Sequence, residues 1–253
     1  MIYGLYLSAT GILANSYNVD VLANNLANSE AVGFKRDMTL FRQRLTAAEQ
    51  SHRAGDWSDP ILEKMGGGLA VNPTVIDTQQ GELESTGNPL DLGIDGKGYF
   101  AVKDASGTHL TRDGRFMVDP NGNLIMSNSR GSQVLDDQQQ PIVLSSGATA
   151  SVGTDGSITQ NGAIVSKLGL FDVPDQAKLT KDGADEMNYP DLTDLRAGTG
   201  QMRSQTIERA NVDPTTELAQ LMEAQRQLEA NANMIHTQDE TLQQLVQDVG
   251  KIS

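Results

Sequence analysis

Hydrophobic and polar positions along this chain change period twice. In the first 28 residues, Ile2, Leu5, Ala9, Ile12, Ser16, Val19, Ala23 and Leu26 are spaced alternately three and four apart. That is an a/d heptad seam on one helix face, with a polar break at Ser16. The other end repeats the spacing through Leu218, Leu221, Gln225, Leu228, Ala232, Ile235, Asp239, Leu242, Val246 and Val249. Asp213-Pro214 predicts its start, with Asp as N-cap and Pro at N1, and Gly250 its stop. Such a helix is roughly 50 Å long. Between the ends the period becomes two. Gly98-Tyr99-Phe100-Ala101-Val102-Lys103 alternates across a strand, and Asp113-Gly114, Asn121-Gly122, Asp155-Gly156 and Asn161-Gly162 are tight-turn dipeptides. Short apolar runs at 124–126, 141–144 and 164–165 lie among them.

The predicted fold is α+β: terminal helices paired as a coiled-coil-like stalk, carrying a central all-β domain of many short strands. The expected divisions are an N-terminal helical segment over 1–35, a connecting region over 36–75, the β domain over 76–196, and a connecting segment with the C-terminal helix over 197–253. Residues 36–75 fit neither period cleanly; Asp37–Gln50 reads as a further helix and Ser51–Gly68 as a loop.

Charge sharpens the picture of the helices. The first 28 residues carry one charge, Asp20, although a solvated helix needs a charged outer face. This helix reads as one surrounded by protein, either in self-assembly or in an intramolecular bundle. Residues 213–250 carry seven acids against Arg226 alone. Glu223, Glu229 and Glu240 on that face need water, as in a channel, or the Lys and Arg side chains of a neighbour. The whole chain of 253 residues has a net charge of −14, which opposes nucleic-acid binding. Aromatic content of 4% points to small cores. No cysteine is present, so disulfides, thiolate metal sites and cysteine nucleophiles are excluded. No apolar run approaches ~20 residues, and the N-terminus lacks the basic n-region of a secretory signal.

Chemistry-bearing patterns are incomplete. Asp119, Asn121 and Asn123 match three calcium-loop positions, but Leu124 stands where glycine is needed and Arg130 where glutamate is needed. A β-turn at Asn121-Gly122 is the better reading. Gly93, Gly96 and Gly98 lack phosphate-loop spacing. His52, His109 and His236 fall in three regions with no i, i+4 partner. No catalytic residue, metal or cofactor is expected. A soluble β-domain enzyme or ligand-binding module with a helical dimerisation stalk is the rival from another class.

Val21-Leu22-Ala23-Asn24-Asn25-Leu26-Ala27-Asn28, followed by Gly33-Phe34-Lys35-Arg36, resembles the signature of flagellar rod and hook proteins. Ala210-Asn211-Val212-Asp213 is similar to that family's C-terminal motif, with Ala210 in place of the usual serine. Gln80-Gly81-Glu82-Leu83, Asp91-Leu92-Gly93-Ile94, Gly98-Tyr99-Phe100 and Thr111-Arg112-Asp113-Gly114-Arg115-Phe116 resemble its middle blocks. The resemblance fades over 37–66 and 127–200. It implies a structural subunit of the bacterial flagellar basal body, exported by the flagellar type III apparatus without a cleaved signal. It also implies polymerisation through the terminal helices into a hollow torque-transmitting tube. The implied partners are copies of itself, other rod and hook proteins, the surrounding rings and the export apparatus. Length and a single β domain suggest a rod subunit, proximal before distal.

Overall fold

The computed structural model describes residues 2–44, 68–128, 130–145 and 150–250. The chain divides into two compact units, residues 1–26, 37–75 and 214–253 in one, and 27–36 and 76–213 in the other. The first is helical. It contains α1 (Ile2–Ala27), α2 (Pro214–Gly250), and the paired strands β1 (Asp37–Gln43) and β2 (Leu69–Ile76). α2 starts at Pro214, whose missing N–H costs nothing at a helix start, and Glu217 follows in the first turn, where the helix dipole favours an acid.

α1 and α2 touch within this unit. A Cβ on Gly4 would lie 2.9 Å from Gln238 Nε2, and one on Gly11 3.1 Å from Asn231 Nδ2. A groove of about 560 Å³ is lined by Asn18 and Leu22 of α1 and by Thr215, Ala219, Glu223 and Ala224 of α2. Along α2 the least exposed positions are Glu217, Leu221, Ala224, Leu228, Asn231, Ala232, Ile235, Gln238 and Leu242. Leu221, Leu228, Ile235 and Leu242 of the expected seam lie on this stripe, whereas Leu218 and Val246 are 48% and 69% exposed. On α1, Leu5, Ile12, Val19 and Leu26 are half-buried and Ala23 is exposed. The side chains of Ile2 and Val249 lie outside the described residues.

The helix expected from Asp37 is corrected: Asp37–Gln43 is a strand. Its partner strand contains Val71, Thr74, Val75 and Ile76, all β-branched, and Pro73, which a helix interior rejects. Given that partner, pairing overrides the mild helix preference of Met, Leu, Arg and Gln. Arg44 N–H donates to the Gly68 carbonyl (2.9 Å) at adjoining strand ends, so the two run antiparallel. Residues 45–67 of the helix and loop expectations lie outside the described residues.

The second unit holds β3 (Leu83–Ser85), β4 (Leu92–Asp95), β5 (Tyr99–Lys103), β6 (Thr108–Thr111), β7 (Phe116–Val118), β8 (Leu124–Met126), β9 (Gln133–Val134), β10 (Ala150–Val152), β11 (Ser157–Gln160), β12 (Ala163–Lys167), β13 (Leu170–Asp172), β14 (Thr180–Asp182), β15 (Glu186–Asn188), β16 (Arg196–Ala197), β17 (Gln201–Ser204) and β18 (Thr206–Glu208). The main sheet runs β14-β15-β6-β5-β9-β8-β7, with β13 also on β5 and β16 on β13. Smaller sheets are β10-β11-β12, β17-β4 and β18-β3. The alternation read in β5 sorts its side chains between two cores. Phe100 and Val102 join Phe116, Leu124, Met126 and Ile158, while Tyr99 and Ala101 join Leu110, Leu135, Phe171 and Met187. A strand covered on both faces has no solvent side, which explains its nearly unbroken apolar run.

Asn121-Gly122, Asp155-Gly156 and Asn161-Gly162 each link two paired strands. Both Asn161 and Gly162 have positive φ, as a two-residue hairpin turn demands. Asp113-Gly114 is corrected: it joins β6 to β7, which are not neighbours in the sheet. Glycine is needed there because a Cβ would lie 1.8 Å from the Leu92 carbonyl oxygen.

Phe100 is fully buried and meets Phe116 edge-on at 5.2 Å between centroids. Phe100→Ala should cost the β unit about 3–5 kcal/mol in urea unfolding. Ile164→Ala, at a position 71% exposed, should stay within about 0.5 kcal/mol. Equal effects would contradict this placement of the core.

Candidate functional site: the junction of the two family motifs

Gly33-Phe34-Lys35-Arg36 and Ala210-Asn211-Val212, some 175 residues apart, interlock in the β unit. Asn211 is the clasp. Its Oδ1 accepts from Arg36 N–H (2.7 Å), and its Nδ2 donates to the Asp77 and Gln79 carbonyls at 2.9 and 3.1 Å. Phe34 packs on Ala210 and Val212, and the Lys181 ammonium sits 3.8 Å from its ring centroid. Gly33 has φ +71°, and a Cβ there would lie 2.3 Å from Asp113 N. Both conformation and space therefore admit only glycine.

Beneath the clasp lies a buried ionic cluster. Lys35 is 1% exposed and Glu208 0%. Lys35 Nζ donates to Glu208 Oε1 (2.5 Å) and to the Gln79 carbonyl (2.7 Å). Gly81 N–H donates to the same carboxylate oxygen, and Arg112 Nη1 to Oε2 at 2.8 Å. Arg112 also donates to the Gly96 carbonyl and lies over the Tyr99 ring, 5.1 Å from its centroid. Burial pushes the Lys35 ammonium down from its ordinary value, and Glu208 opposes that. Burial pushes the Tyr99 phenol up to about 12, with Arg112 pulling the other way. One carboxylate thus bonds to residues 35, 81 and 112 while sitting on the last strand before α2. The arrangement ties four stretches of the β unit together, and Arg112 Nε, although buried, has no hydrogen-bond partner among the described residues.

The rest of the first motif divides by position. Asn25 is buried in the helical unit, where its amide accepts from Asp37 N–H (3.0 Å) and donates to the Asp37 carbonyl (2.9 Å). Leu26 and Asn28 are half-buried, and Asn24 and Ala27 are exposed. Glu223, Glu229 and Glu240 are all exposed. Sequence reasoning missed Glu208. The available signal was Lys35 beside the apolar Val32 and Phe34, a cation that must find a counter-ion if buried.

Asp119 forms a turn, its carboxylate accepting from the N–H groups of Asn121 (2.8 Å) and Asn123 (2.7 Å). Asp104, His109 and Glu186 come close enough to suggest a metal site. His109 already bonds Asp104 (3.0 Å) and Asn188 (2.6 Å), and Glu186 bonds Arg130 (2.7 Å) and Ser132 (2.9 Å). His236 is exposed, and His52 lies outside the described residues.

Glu208→Gln leaves two buried cations facing a neutral amide and should cost about 3–5 kcal/mol. Glu84→Gln removes an exposed acid 3.5 Å from Arg209 and should cost no more than about 1 kcal/mol. Chemical denaturation of the β unit compares them, and similar losses would refute the cluster's role. Tyr99 adds a pH signature. The unfolded phenol ionises near pH 10 and the folded one near 12. Its contribution to stability should hold below about pH 10 and vanish by about pH 12, and Tyr99→Phe should remove that dependence.

Known proteins place this architecture. Residues 93–178 match the family model described as the flagellar hook protein FlgE/F/G D1 domain, and residues 203–248 match the flagellar basal body rod FlgEFG protein C-terminal model. The chain is 32% identical to flagellar basal-body rod protein FlgF of Caulobacter vibrioides over 251 residues, covering 98% of each. It is 31% identical to flagellar basal-body rod protein FlgG of Bacillus subtilis over 265 residues, covering 97% of this chain and 98% of that one. It is 32% identical to the FlgG of Buchnera aphidicola subsp. Baizongia pistaciae over 264 residues, covering 97% and 99%. With identity at this level running end to end, the chain belongs to the family of flagellar basal-body rod proteins.

Proposed function

We propose that this chain is a structural subunit of the basal-body rod, polymerising through its helical unit into a hollow, torque-transmitting shaft. The observation that carries the reading is where apolar surface is left uncovered. Among the described residues, 13 of the 17 exposed large hydrophobics belong to the helical unit; the other four are Met117, Val143, Ile164 and Val165. Tyr6, Leu7 and Leu13 of α1 and Leu218, Met222, Met234, Leu245 and Val246 of α2 are among them. A surface of this kind marks contact with other protein.

Heptad pairing of the helices supports the same reading. Gly4 and Gly11 are seven apart, as are Gln238 and Asn231, and they meet in opposite chain directions. An antiparallel seam with small residues on α1 lets the backbones approach closely. The family resemblance adds its companions, as neighbours in the same structure: other rod and hook proteins, the rings and the export apparatus. The alignment with the FlgF of Caulobacter vibrioides spans 251 residues and those with the FlgG of Bacillus subtilis and of Buchnera aphidicola subsp. Baizongia pistaciae span 265 and 264, and the shorter fit supports the proximal rod over the distal one.

The exposed acids of α2 complete the proposal. Glu223, Glu229 and Glu240 line the water-filled channel, where carboxylates avoid desolvation. A map of the assembled rod should show them at the lumen; pairing of most of them with Lys or Arg of neighbouring subunits would refute that part. For polymerisation, a tagged copy should co-purify with basal bodies. Leu228→Asp should abolish rod completion and swimming while the β unit stays folded, because the carboxylate falls on a covered seam. Normal swimming in that variant would contradict the seam.

A further inference from the structure

We infer that the outward face of the β1–β2 hairpin docks onto a second copy of this chain, an inference that rests on the polymerising reading above. A hairpin lying on a helix ordinarily turns its apolar alternate residues inward and its polar ones to water. This one is reversed. Thr39 Oγ1 donates to Asn18 Oδ1 (2.8 Å) and the Asp37 backbone is bracketed by Asn25, so these positions face α1. Asn72 and Thr74 are half-buried on β2. Met38, Leu40, Leu69 and Val71, on the opposite alternation, are instead 37–44% exposed, and Pro73 is exposed beside them. Chain connectivity does not force this arrangement, since a one-residue change of register would exchange the faces. The inward polar contacts fix the register, and the apolar face is left for another molecule.

Charge selects the occupant. Arg42 and Arg44 are exposed at the same end of the hairpin, and Arg42 makes no ion pair among the described residues. An apolar face rimmed by two cations fits an acidic protein surface, and this chain carries a net charge of −14. With the α2 acids assigned to the channel, the second copy's β unit supplies the carboxylates: it holds 21 acids and 13 bases. Among the described residues the outward face of the hairpin offers no carboxylate, so a second hairpin would leave Arg42 and Arg44 without acidic partners in any orientation. The contact therefore joins different patches on the two copies, the heterologous kind that extends into a filament when its rotation does not close.

The test places a photo-crosslinking p-benzoylphenylalanine at Leu40 of the full chain, expressed as its sole copy in cells, followed by irradiation and purification of basal bodies. Leu40 is 43% exposed, so the substitution leaves the fold of the unit in place. The expected product is an adduct of two copies, twice 27.1 kDa, whose crosslinked peptide comes from residues 76–213 of the second chain. Arg42→Glu should reduce its yield several-fold. Basal bodies that contain the chain but yield no adduct, an adduct within one chain, or an adduct with a different protein would overturn the inference and leave the polymerising reading standing. Absence of the chain from basal bodies would overturn both.

Discussion

The Glu208 carboxylate is the interaction on which the β unit's architecture turns. It is fully buried, carries two cations and a backbone N–H, and ties four stretches of chain that have no local reason to meet. Desolvating three charges is expensive, and hydrophobic residues of the same volume would serve stability as well or better. What the ionic cluster adds is geometric definition. Lys35 reaches Glu208 in one way, Gly33 lets the backbone pass Asp113, and Asn211 holds Arg36 and Asp77. The segments leading to and from the helices are thereby fixed at one place on the β unit.

The two units solve opposite problems. The β unit buries its apolar residues in two cores on either face of β5 and pairs the buried Lys35 and Arg112 with Glu208. The helical unit leaves its apolar surface open and has one charge on the whole of α1. A free-standing protein would find the second arrangement a liability, whereas an assembling subunit requires it. Gly4 and Gly11 fit this view, since small residues suit a helix enclosed by others more than one facing water.

Much of this was legible in the sequence. Heptad spacing located both helices, Asp213-Pro214 located the start of α2, and three of the four turn dipeptides link paired strands. The failures have physical causes. Asp37–Gln43 has the composition of a helix and becomes a strand because Leu69–Ile76, some thirty residues away, pairs with it. Asp113-Gly114 looks like a hairpin turn but answers to a close approach from Leu92. On α2 the covered stripe keeps Leu221 and Leu228, leaves Leu218 exposed and takes in Asn231 and Gln238, which meet Gly11 and Gly4 of α1, small neighbours that admit polar side chains a hydrophobicity pattern passes over. Glu208 was missed because its partners Lys35 and Arg112 lie 173 and 96 residues away, and the setting of Lys35 signals a counter-ion without saying which.

The central claim is that the helical unit completes its packing only in the assembled rod while the β unit is complete in the single chain. Amide hydrogen exchange of the free subunit and of purified basal bodies measures this directly. The account predicts fast exchange in α1, α2 and the β1–β2 hairpin of the free chain, strong protection of the same segments in the rod, and equal protection of β5 and β6 in both. Helices as protected in the free subunit as in the rod would contradict it.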